Sequence, residues 1–87
     1  MAGITMKGGM HMPLSMAAPG QEVELVAVHG GWGIRRRLAD MGFNPGVRIK
    51  VIHSGGGPII VAIRDVRLAL GRGMAHKIVV KMIGDKG

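Results

Sequence analysis

The chain has 87 residues, no cysteine, and twelve Lys and Arg against five acids, for a net charge of +7. That length holds one domain, and the missing thiols exclude both a disulfide framework and a thiolate metal site. The longest apolar run, Ile59–Ile63, is far short of the ~20 residues that span a bilayer. Lys7 is followed by glycines rather than the apolar stretch of a signal peptide, so a cytoplasmic protein without direct membrane insertion is expected.

Residues 1–12, rich in Met and Gly and without periodicity, are expected to form a disordered leader. Met6, Met10, His11 and Met12 offer soft ligands of the kind copper(I) takes, but the composition is read as leader. Residues 13–82 are the expected folded unit, and 83–87 a short tail. Entered through the Pro19-Gly20 turn, Glu22–His29 alternates, with Val23, Leu25 and Ala27 on one face and Glu22 and Glu24 on the other. That is a half-buried strand.

From Trp32 the period lengthens. Ile34, Leu38 and Met41 fall at i, i+4 and i+7, one apolar stripe of a short helix. Gly42 is placed to cap it in the left-handed conformation, and Asn44-Pro45-Gly46 has the order a type II turn requires. Val47–His53 alternates again, and Ile59–Arg64 is the most continuously apolar strand. Asp65-Val66 is the expected hairpin turn into Arg67–Leu70. A short helical turn within Gly71–Lys77 leads to a closing strand, Ile78–Lys81. The expected core is Val23, Leu25, Ile34, Leu38, Ile49, Val51, Val61, Ile63, Leu68, Leu70 and Val79. The predicted architecture is all-β, a small partly open barrel of about five strands. One short helix follows the first strand and a helical turn comes late.

Arg35, Arg36 and Arg37 are the most informative polar residues. A solvated face pairing with Glu22 and Glu24 is the plain reading, and surface pairs stabilise little. Their apparent place near the helix N-terminus, with Asp40 near its end, opposes the helix dipole and favours a role toward a partner. Trp32 and Phe43, the only aromatics, either cap the core or border a docking groove beside the arginines. So few aromatics argue against a single-stranded nucleic-acid platform, although the charge keeps a small RNA-binding barrel as a rival, and no DNA partner is expected.

His29 and His53 end two strands, and with Asp65 they form the weak candidate set for a divalent metal, Fe2+ or Zn2+. No pair of histidines has the i, i+4 spacing of a local site. Gly30-Gly31-Trp32-Gly33 lacks the third glycine of a dinucleotide fingerprint, and there is no Gly-Lys-Ser/Thr. Ser15, Ser54 and Thr5 are the only hydroxyl nucleophiles, and neither serine lies in a nucleophile elbow. A non-enzyme is expected.

The stretch GGWGIRRRLADMGFNPGVRIKV, Gly30 to Val51, resembles the signature of the ferrous iron transport protein A (FeoA) family. PLSMAAPGQEVELVAV before it and VRLALGRGMAHKIVVK after it resemble that family's opening and closing segments. The resemblance implies an SH3-like barrel, related in shape to the C-terminal domain of iron-dependent repressors. It implies a cytosolic accessory of ferrous iron uptake that contacts the membrane transporter FeoB and its G-domain; the placement of Arg35 and Arg36 makes them the expected residues against an acidic face there. A sharper form makes one of them an arginine finger for the transporter's GTP hydrolysis. A metal-responsive regulatory domain is the other rival. The sequence leaves the oligomeric state open.

Overall fold

The computed structural model describes residues 11–83; the rest of the leader and tail lie outside them. Six strands form one sheet: β1 (His11–Pro13), β2 (Glu22–Val28), β3 (Arg48–Ser54), β4 (Ile59–Ile63), β5 (Val66–Leu70) and β6 (Ile78–Met82). Helix α1 (Trp32–Asp40) joins β2 to β3, α2 (Arg72–His76) joins β5 to β6, and Leu14–Met16 is a single 3-10 turn. Every neighbouring pair is antiparallel. The order is β1-β6-β2-β3-β4-β5, so the sheet curls without closing and β1 and β5 are its edges.

Two register shifts, between Leu25 and Ala27 and between Val51 and His53, supply the local twist that bends a sheet around a core. Gly42, just past the helix, has φ 102° and Gly46 has φ 93°. At both positions a Cβ would strain the backbone. The Val47 N–H donates to the Asn44 carbonyl at 3.0 Å, closing the turn anticipated around Pro45-Gly46. The helix therefore ends, and β3 begins, where the glycines require.

The core is Leu14, Ala17, Val23, Leu25, Leu38, Phe43, Ile49, Val51, Ile59, Val61, Ile63, Leu70, Ala75, Ile78 and Val80. Three expected core residues, Ile34, Leu68 and Val79, are only half-buried. On β6 the reason is parity. Leu25 faces inward and pairs with Val80, so Ile78 and Val80 turn to the core and Val79 turns away. Leu68 stands on an edge strand, with a neighbour on one side only. Of the anticipated helical stripe, Leu38 alone is buried, because Met41 is already the helix C-cap and is 38% exposed.

Two boundaries also move. His11 and Met12, assigned to the leader, pair with Lys81 and Val80 as part of β1. The β4–β5 turn is Arg64-Asp65 rather than Asp65-Val66, since Ile63 pairs with Val66. Arg64 takes φ 57° there, a conformation that residues with a Cβ adopt at a cost of about 1–2 kcal/mol.

Candidate functional site: the exposed face of helix α1

Helix α1 starts after Gly31, whose extended backbone forms the N-cap without a side-chain hydrogen bond. Nine residues place Arg35 and Arg36 mid-helix and Arg37 in the last turn. This corrects the dipole argument, because Arg37 occupies the end where a cation is favoured. What distinguishes the run is its surroundings. All three arginines are exposed, and among the described residues none of their guanidiniums has an ion pair or hydrogen bond.

Glu22 and Glu24, the acids proposed to pair with them, face elsewhere. Glu22 stands opposite Lys50, while Glu24 stands between Arg48 and Lys81 on its two neighbouring strands. The sheet's own cations thus occupy the positions across from these acids.

The two aromatics separate. Phe43 is 1% exposed and belongs to the core. Its N–H donates to the Leu38 carbonyl at 2.9 Å, and the chain leaving the helix cap carries the ring beneath α1. Phe43 therefore caps the core and reaches the surface only at the lining of a groove it shares with Arg35. Trp32, at the first turn, is 70% exposed, and the Arg36 guanidinium lies 5.1 Å from its ring centroid, within cation–π range. Trp32, Arg35 and Arg36 border an open groove of about 410 Å³. Arg35 also reaches a second groove of about 380 Å³, walled by Val26, Val28, Ala39 and Pro45. One guanidinium joins a cationic, aromatic-bordered surface to an apolar one.

A larger concavity of about 480 Å³ lies on the outer sheet face between Arg48, Lys50 and Arg64, with Glu22 on its lining. Its cations come from the fold's own cross-strand arrangement, so we place the candidate site at α1 instead.

The candidate metal set does not assemble. His29 follows β2 and donates its N–H to the Lys77 carbonyl at 2.7 Å. His53 opposes Ile60 near one end of β3, and Asp65 lies in the β4–β5 turn beyond the other end. Strand register therefore keeps them apart, and among the described residues no three His, Cys, Asp or Glu side chains form a metal cluster. Nor is any helix there long and apolar enough to cross a membrane.

A small, open, antiparallel curl with two short connecting helices has the SH3-like architecture. The FeoA domain model matches residues 12–82. A Methanocaldococcus jannaschii protein named "Putative Fe(2+) transport protein A" is 41% identical over 69 residues, 79% of this chain and 84% of that one. Among solved structures, an iron uptake regulatory protein (FeoA) superposes with TM-score 0.80 at 39% identity, covering 85% of this chain and all, 100%, of that one. A zinc-complexed FeoA of Stenotrophomonas maltophilia, described as an SH3 domain protein, gives TM-score 0.72 at 29% identity over 80% of this chain and 89% of that one. The chain belongs to the FeoA family, whose members take part in ferrous iron transport. A manganese-dependent transcriptional repressor shares the fold alone, at 22% identity and TM-score 0.77, with this chain covering 84% of itself and 42% of the repressor.

Proposed function

We propose that this protein is a cytosolic, non-catalytic accessory of ferrous iron uptake that docks on the transporter FeoB. Contact is made through α1, with Arg35 and Arg36 set against an acidic face of the transporter's cytosolic G-domain region. One observation carries this reading: Arg35 and Arg36, exposed and without an ion pair among the described residues, border one groove with the exposed Trp32. Tryptophan and arginine are the residue types that dominate binding energy at protein interfaces, and Arg36 is already held over the ring that would accompany it. Family membership supplies the transport context. Iron enters this reading as the transporter's cargo.

The test is a pull-down of the transporter's cytosolic domain, apo and nucleotide-loaded, with the native chain and with an Arg35→Glu/Arg36→Glu double variant. Binding should be lost in the double variant and weaken with salt, since exposed charges are screened. Retained binding and iron uptake would overturn the assignment. A shift with ribosomal RNA, alongside none with the transporter domain, would transfer the surface to a nucleic acid.

A further inference from the structure

The two sheet edges are not alike. β1 is three residues long and ends in Pro13, and short strands and proline are the ordinary means of blunting an edge. β5 has neither protection. It runs five residues, Val66–Leu70, contains no proline, and pairs with β4 without a register shift. The two-residue turn closes on Ile63 and Val66. In such a hairpin the closing pair and every second residue share the ladder bonds, so Val66, Leu68 and Leu70 bond to β4. Arg67 and Ala69 then turn their N–H and C=O groups away from the sheet. Both residues are exposed, and among the described residues neither has a backbone partner on that side.

The side chains beside this edge define what would fit. Val66, Leu68 and Leu70 share the inner face. Leu70 is buried, Leu68 half-buried, and Val66 54% exposed, so apolar surface continues past the last strand. On the outer face Arg67 stands opposite Ala62 and has no acid across from it. Arg64 and Arg72 flank the strand, and Asp65 is the single acid among residues 64–72.

We infer that β5 is a docking edge for an extended acidic peptide, added to the sheet as a seventh strand. Its backbone bonds to Arg67 and Ala69, its apolar side chains lie beside Val66 and Leu68, and alternate aspartates or glutamates face Arg67. Strand addition takes affinity from main-chain hydrogen bonds and selectivity from alternating side chains, and this edge offers both kinds of contact. The site is separate from the Trp32–Arg36 surface, although Asp40 and Met41 at the end of α1 line a groove with Arg64 and Val66.

The probe is a short synthetic peptide alternating valine and aspartate, added to the full ¹⁵N-labelled chain. Amide shifts and hydrogen exchange are followed by NMR. Arg67 and Ala69 should shift and gain protection, whereas a peptide N-methylated at the pairing nitrogens, or carrying lysine for aspartate, should leave them unchanged. The Arg67→Glu variant should lose the response while keeping the native spectrum elsewhere, and Arg35→Glu/Arg36→Glu should respond like the native chain. No response at either amide, or shifts confined to α1, would overturn the proposal. So would sedimentation as a dimer with both amides protected before any peptide is added, which would assign the edge to a second copy instead.

Discussion

Two groups of cations on this molecule have different relations to the fold. On the sheet, Lys50 opposes Glu22, and Arg48 and Lys81 flank Glu24 across the strands. On α1, Arg35, Arg36 and Arg37 have no ion pair among the described residues, and Arg36 lies over the Trp32 ring. The sheet charges complement one another through register, while the helix arginines make no ion pair among the described residues. Net charge alone hides the distinction, since both groups add equally to the total. Position relative to an opposite charge decides which cations remain available to a partner.

The two regions are also held differently. The sheet contributes most of the core, whereas α1 buries only Leu38 along its length, with Phe43 following below it. Leu38→Ala should therefore have the largest effect of any single change considered, about 2–5 kcal/mol. Native-state hydrogen exchange would show where the loss falls. Amides of α1 should lose protection well before those of β3 and β4, as expected of a separately anchored segment. Uniform loss across sheet and helix would mean that the helix is integral to the core.

Charge reversal sharpens the contrast at a smaller scale. Lys50→Glu places like charges directly across a strand pair from Glu22, which should cost about 0.2–1 kcal/mol while leaving transporter binding intact. The Arg35→Glu/Arg36→Glu pair should do the opposite, abolishing binding with little change in melting temperature. If both variants lost stability alike, the helix arginines would have partners in the fold after all.

Much of this was legible in the sequence because local signals agreed with tertiary demand. Alternation placed β2 and β3, a continuous apolar run placed β4, and the glycines at 42 and 46 fixed the exit from α1. The FeoA-like signature identified the family. Errors arose where the deciding partner was distant. The parity of β6 depends on its pairing with Leu25, so Ile78-Val79-Val80 cannot reveal which valine faces inward. β1 is too short to show a period and exists through pairing with β6. Phe43 follows a helix cap, and its burial depends on a chain direction that no spacing rule encodes. The metal set failed similarly, because strand ends look close in topology while register holds His53 away from Asp65. The edge at β5 was within reach, since a two-residue turn between alternating strands fixes which amides face outward, but its recognition required the sheet order.

The smallest effect concerns the turn beneath that edge. Arg64 adopts φ 57°, costing about 1–2 kcal/mol relative to an ordinary conformation. Glycine there would remove this strain but add about 0.5–1 kcal/mol of unfolded-chain entropy. Arg64→Gly should therefore be neutral to slightly stabilising, by about 0.5 kcal/mol, in a denaturant titration with unchanged slope. It also removes a cation from the outer sheet face without altering Arg35 or Arg36. Transporter binding should then stay at the native level, while the acidic peptide at β5 should bind somewhat more weakly. Destabilisation by this substitution would show that the Arg64 side chain makes contacts worth more than the backbone strain, and the sheet face would then need that cation as part of its own structure.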